Sequence, residues 1–288
     1  MPVSGPRATR RAAHSLRLAG VLVVFAALVL CCGGGGDGSE PAQKPPEPSP
    51  GAEQAPHEKG PDEPPPEDWP HPRVEARQAE RDSMVAIIRA YGLTDDAVLK
   101  AMAAVPRHEF VGKKLQRAAY KDSPLPIGHG QTISQPYIVA KMTLHLELEA
   151  SSKVLEVGTG SGYQAAVLSE FTPRVYTIEI VKPLADSAAK RFERLGYTSV
   201  KARHGDGYHG WKEHAPYDAI IVTAAAGHVP PPLLAQLAPG GKMVIPVGGP
   251  FSVQELLLLE KDISGTVTTK ALGAVRFVPF VRSETEGN

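Results

Sequence analysis

Cysteine is nearly absent from this chain. Its 288 residues hold two, Cys31 and Cys32, side by side near the amino terminus. The remainder therefore has no disulfide, no thiolate metal site and no cysteine nucleophile. Histidine patterns that bind metal are missing too. His108, His129, His145, His204, His209, His214 and His228 show no ligand-like spacing such as H-E-x-x-H, so no metal is expected. Net charge is also lacking, because 31 basic and 31 acidic residues cancel. The totals thus give no reason to expect a nucleic-acid partner. There is no paired-carboxylate or Ser-His-Asp signature, which argues against chemistry that needs a strong general base.

A membrane span of ~20 apolar residues is not reached either. The run from Leu18 to Leu30 is nearer signal-peptide length, and Arg7, Arg10, Arg11 and Arg17 precede it. Cys31-Cys32 and four glycines follow. Apolar residues before a cysteine resemble a bacterial lipoprotein cleavage site, although Leu30 and Cys31 are larger than the residue usual at that place. Thr9-Arg10-Arg11 resembles a twin-arginine export motif that lacks the apolar residues expected just after it. Basic residues before the run and acidic ones after it place the carboxyl-terminal part outside. Residues 1–32 are read as a signal or lipoprotein-like segment. Residues 33–72, rich in Pro and Glu, are read as a disordered tether. Residues 73–282 form one domain, long enough for a buried core, and 283–288 a flexible tail. Membrane attachment, if any, is expected through the amino terminus alone.

What the domain does have is the stretch Val154-Leu-Glu-Val-Gly-Thr-Gly-Ser-Gly162. It reads as a buried strand entering a glycine-rich turn, followed by a helix from Tyr163 to Glu170. Gly158, Gly160 and Gly162 permit positive φ and close approach of a ligand, and the helix start suits a nucleotide. A turn of this kind can also serve only to pack a helix on a sheet. The dinucleotide fingerprint G-x-G-x-x-G fails, since position 163 is Tyr. Glu156, two residues before the first glycine, would repel a pyrophosphate and suit a cation. S-adenosylmethionine, with an ammonium and a sulfonium, is the nucleoside that fits.

Further strands follow in order. Arg174–Glu179 ends in a carboxylate about 20 residues after the glycines, where an acid can accept both ribose hydroxyls. Glu179 is the candidate, against the plainer reading of a surface acid at a strand end. Ser199–Arg203 leads to His204-Gly-Asp-Gly207, in which Asp206, beside Gly207, suits an acceptor for the adenine amino group or an ordinary turn. Tyr217–Thr223 and the Pro239–Gly248 stretch supply two more strands. Strands separated by helical stretches predict an α/β fold with a mostly parallel, doubly wound sheet, and ligands beyond its strand ends. Ahead of the sheet, helices are expected over Val74–Ala90, from a Thr94 cap to Val105, and from Pro136 to Leu148. The stretch Asp122–Tyr137 shows no clear periodicity and reads as a loop.

That loop carries a specific likeness. Pro124-Leu-Pro-Ile-Gly-His-Gly-Gln-Thr-Ile-Ser-Gln-Pro136 resembles the signature of the protein-L-isoaspartate O-methyltransferases. So do Val154–Gln164, Arg203–Gly207, Pro216–Ala225 and Arg276-Phe-Val-Pro279, and together the likeness spans about Arg73 to Arg282. His129 departs from the Gln of many bacterial members. The resemblance implies a Rossmann-like methyltransferase fold with a carboxyl-terminal antiparallel hairpin, S-adenosylmethionine as methyl donor, and isoaspartyl-containing proteins and peptides as partners. The free α-carboxylate of the isoaspartyl residue is methylated, and the ester closes to a succinimide that reopens partly to normal aspartate. A carboxylate is already ionised at neutral pH, so proximity and orientation, worth ~7–11 kcal/mol, can supply the rate.

The resemblance also implies a catalytic role for Ser134, with Thr132, Ile133 and Gln135 positioning the substrate. Ser134 could equally be the N-cap of the helix opening at Pro136. Two competing functions are methyl transfer to RNA or a small molecule, and a non-catalytic envelope module on the same fold. A monomer is expected. The family is cytoplasmic by resemblance, whereas the amino terminus argues for export to the cell envelope, away from the cytosol where the methyl donor is made.

Overall fold

The computed structural model describes Trp69, residues 71–250 and residues 252–283. The segment 1–32, nearly all of the expected tether, both cysteines and residues 284–288 lie outside the described residues. In chain order come α1 (Gln78–Ala90), α2 (Asp96–Ala104), β1 (Leu125–Gly128), β2 (Gln131–Ile133), α3 (Pro136–Leu144), β3 (Val154–Val157), α4 (Tyr163–Leu168) and β4 (Val175–Glu179). They are followed by α5 (Lys182–Leu195), β5 (Lys201–His204), β6 (Tyr217–Val222), α6 (Pro231–Gln236), β7 (Leu237–Val247), β8 (Gln254–Lys261) and β9 (Val267–Val275).

The sheet runs in the order β5-β4-β3-β6-β7-β8-β9. Strands β5 through β7 pair in parallel, while β7–β8 and β8–β9 are antiparallel. The chain therefore winds outward from β3 in one direction and then in the other, and the reversal lies between β3 and β6. Crevices for ligands open at such reversals. All four residues of β3 are buried, as expected of a strand covered on both faces. Alternate residues feed two cores. Val154, Val175, Ala219 and Ile221 pack on one side of the sheet, and Leu155, Val157, Tyr176, Ile178 and Ile220 on the other.

Element ends differ from expectation for local reasons. Helix α2 is capped by Asp95, not Thr94, since the Asp95 carboxylate accepts the Val98 N–H at 2.8 Å. Helix α1 starts at Gln78, because Arg77 is left-handed at φ 61° and turns its guanidinium onto Glu80. Helix α3 ends at Leu144 rather than Leu148, before Glu147 at φ 49°. The stretch read as a loop is in part a short antiparallel hairpin, β1–β2, whose turn puts His129 at φ 53° between two glycines of positive φ. Trp69 and His71 touch the domain: the Trp69 indole N–H donates to Ser169 O at 2.8 Å, and His71 lies 3.5 Å from Glu170.

Gly162 closes the glycine turn at φ 88°, and a Cβ there would sit 2.7 Å from the Phe192 ring of α5. Gly162→Ala combines a left-handed backbone with overpacking, so a loss of about 2–4 kcal/mol of stability is expected. Urea unfolding of the variant beside the parent chain measures it.

Candidate active site

The glycine turn takes its shape from what surrounds it. A Cβ on Gly158 would collide with Thr223 Oγ1, which donates to Gly158 O at 2.6 Å. Gly162 is closed off by Phe192. Gly158 and Gly162 thus serve packing, and Gly160, where a Cβ would meet only the Ile127 side chain at 3.3 Å, lines the cleft. Its N–H donates to Glu179 Oε2 at 2.7 Å, while Glu179 Oε1 accepts the Val181 N–H at 2.8 Å. One buried carboxylate at the tip of β4 therefore pins the turn after β3 and the start of α5.

A cleft of about 540 Å³ opens over these strand ends. Gly158, Gly160, Glu179 and Gly207 line it from the sheet, and Val278 to Val281 cover it. A second, larger cleft of about 950 Å³ lies beyond, lined by Ser134, Gln135, Ile138 and the segment Ala274–Val278. A small cavity of about 320 Å³, reached by Ile133, Ser134 and Glu156, adjoins both. Thr132 and Thr223 line all three spaces.

The sequence candidates fall into groups. Gly158, Gly160, Glu179 and Gly207 meet at the first cleft, and Thr132, Ser134 and Gln135 at the second. Ile133 is buried beneath, facing the small cavity. Gly162 lines none of the three. Asp206 does not line them either. Its Oδ1 accepts the Tyr208 N–H at 2.9 Å, and its Oδ2 accepts Arg282 Nε at 3.0 Å and the Ser283 N–H at 3.2 Å. Burial pushes its carboxyl up, but these donors outweigh burial and hold it below the ordinary value. Asp206 thereby fastens the chain that covers the first cleft.

Ser134 is not the helix cap. The N-cap of α3 is Gln135, and the Tyr137 N–H is instead taken by Asp122 Oδ1 at 2.8 Å. Gln135 also donates to Asp122, at 2.6 Å. The Ser134 hydroxyl makes no hydrogen bond among the described residues and lines the second cleft. Its carbonyl accepts Arg107 Nη2 at 2.7 Å.

Glu156 is fully buried. Thr177 donates to its Oε2 at 2.5 Å, Thr159 and Thr177 hydroxyls lie 2.6 Å apart, and Oε1 has no hydrogen-bond partner. Burial pushes the carboxyl up to about 8; Thr177 opposes this and the nearby Glu179 adds to it. A cation entering the adjoining space would draw it back toward ionisation. The unpaired oxygen, the side-chain-free Gly160 and the buried Glu179 suit a nucleoside that carries positive charge near the turn. No cluster of metal-binding side chains occurs among the described residues. Sequence reasoning missed Thr223 and Arg282, whose partners lie 65 and 76 positions away, and Arg107 and Asp122, whose bonds reach across the β1–β2 segment.

Residues 79–285 match the family model described as Protein-L-isoaspartate(D-aspartate) O-methyltransferase. Protein-L-isoaspartate O-methyltransferase 2 of Syntrophobacter fumaroxidans is 63% identical over 186 residues, which are 65% of this chain and 75% of that one. A solved protein-L-isoaspartate O-methyltransferase superposes with a TM-score of 0.64 at 31% identity, covering 69% of this chain and 65% of that one. Another solved structure, a putative protein-L-isoaspartate O-methyltransferase from Plasmodium falciparum in complex with S-adenosyl-L-homocysteine, gives a TM-score of 0.62 at 26% identity over 70% of this chain and 99% of that one.

The buried Glu156 makes stability depend on pH. Between its ordinary value of 4.5 and about 8, the folded chain keeps a proton that the unfolded chain releases. Stability from this group is full below the ordinary value and is lost as pH rises through about 8. Glu156→Gln removes the titration. Its melting temperature relative to the parent should therefore be higher at pH 8 than at pH 5, as read by scanning calorimetry at both.

Proposed function

The chain belongs to the protein-L-isoaspartate(D-aspartate) O-methyltransferase family, and from that premise we propose that Ser134 orients the acceptor carboxylate while Glu179 holds the donor. The enzyme methylates the free α-carboxylate of isoaspartyl residues in damaged proteins, with S-adenosylmethionine as the donor. The observation that carries the assignment of roles is the shared wall. Thr132 and Thr223 border both clefts, and Ser134 lies two residues from Thr132 on the acceptor side.

When bound, the donor supplies an electrophilic methyl group, which leaves sulfur as its bond to the carboxylate oxygen forms. The chain's own part is placement. Glu179, at the strand tip, can accept from ribose hydroxyls on the side facing the cleft, as its place in the fold suggests. The free Ser134 hydroxyl can donate to one carboxylate oxygen and leave the other to react. Gln135, tied to Asp122, holds the loop beside it. No base is required, since the acceptor is ionised at neutral pH. Val278–Val281 line the first cleft opposite the sheet, and charges that cancel in the transition state favour a site from which water is excluded.

We further propose that the amino terminus attaches the enzyme to the cell envelope, on the strength of its basic residues, apolar run and cysteine pair. Among the described residues no helix is long and apolar enough to cross a membrane. Cell fractionation with mass analysis of the mature amino terminus tests this: a full-length chain in the cytosol overturns it.

Ser134→Ala should lower kcat on an isoaspartyl peptide by at least about ten-fold, with donor affinity unchanged. Parent-like turnover would remove the serine from catalysis. Glu179→Ala should weaken S-adenosylmethionine binding by ~1.5–3 kcal/mol, the range for hydrogen bonds to a charged group. Isothermal titration calorimetry reads this directly.

A further inference from the structure

We infer that Arg107 is a positioning residue for methyl transfer, a buried cation that sets Ser134 in register with the glycine turn. The inference rests on the reading of Ser134 given above. Arg107 is 0% exposed. Its Nε donates to Ala119 O at 2.8 Å and its Nη2 to Ser134 O at 2.7 Å. Its guanidinium lies over the Tyr163 ring, 4.7 Å from the centroid. Nη1 is buried without a hydrogen-bond partner.

These contacts join three parts of the site. Ala119 precedes the β1–β2 hairpin and Ser134 follows it, so one planar group ties both ends of the acceptor segment. Tyr163 is the first residue of α4, immediately after Gly162, so the same group leans on the donor turn. The bonds go to neutral carbonyls and to a ring rather than to a carboxylate. Burying a cation in that way is costly, and an apolar side chain of similar volume often serves stability as well or better. What an apolar side chain cannot do is hold two carbonyls in one plane. Lysine cannot do this either, because its ammonium is a point charge without the rigid fork. The position thus demands a shape, and the shape aims the segment that ends in Ser134.

The full chain carrying Arg107→Lys, Ser134→Ala or both, and separately Arg107→Met, tests this. Turnover on an isoaspartyl peptide and S-adenosylmethionine affinity by calorimetry are measured for each. Arg107→Lys should lower kcat by at least about ten-fold, keep the donor dissociation constant within about two-fold, and add little to Ser134→Ala, since groups that act as a unit are not additive. Arg107→Met should lose turnover similarly while its melting temperature holds or rises. Parent-like kcat in Arg107→Lys, or losses that multiply in the double variant, would overturn the inference. So would a joint fall of melting temperature, donor affinity and kcat in both Arg107 variants, which would make the residue scaffold only. Parent-like turnover in Ser134→Ala alone faults the reading of the serine itself, and is distinguished by that arm.

Discussion

The backbone between β3 and α4 has to pass through a space too narrow for a side chain at Gly158 and Gly162, and the geometry of the site depends on that constraint. Thr223 presses on Gly158 from just beyond β6, and Phe192 presses on Gly162 from α5. With both flanks closed, the peptide at Gly160 can point its N–H only along the path that Glu179 meets. The turn is therefore held from three elements at once. A packing role and a ligand role coexist in one motif: the outer glycines admit the neighbours, and the middle one is left to face the cleft. The same constraint fixes Thr223 beside the turn, where its hydroxyl donates to Gly158 O and its body forms the wall between the two clefts.

Charge is distributed with similar economy. Glu156 lies deep and leans toward its neutral form, Glu179 is satisfied by two backbone N–H groups, and Arg107 spends its charge on carbonyls. None of these groups is an exposed ion waiting to be paired by solvent. In a dry setting of this kind, fixed dipoles act strongly on reacting groups and need little rearrangement. A reaction that brings a cation and an anion together and leaves both neutral is well served by such surroundings.

Much of the fold could be read from local pattern. The strand β3, its glycine turn and the strand end at Glu179 are legible because they lie within about 25 residues, where spacing and side-chain type suffice. The expectation of a catalytic Ser134 came only through resemblance, since a serine before Gln-Pro also reads as a cap. The cap turned out to be supplied by Asp122, whose link to Tyr137 leaves no trace in spacing. The hairpin β1–β2 escaped notice because its strands are very short and one includes Pro126. Asp206 was read from its place between two glycines, and its link to Arg282, 76 positions away, could not be read there. Roles set by distant carbonyls or salt bridges, as for Arg107 and Asp206, have no local signature at all.

The sheet order separates the two binding tasks in space. The first cleft is lined by the tips of β3 and β4 and the turn after β5, inside the parallel core, together with Thr132 and Val278–Val281. The larger cleft is walled by the β1–β2 hairpin and by the end of β9, both appended to that core. The segments that wall the larger cleft can therefore be exchanged while the strand tips that line the first are kept. A lineage built on this plan can diversify what it repairs without having to reinvent how the reaction is powered.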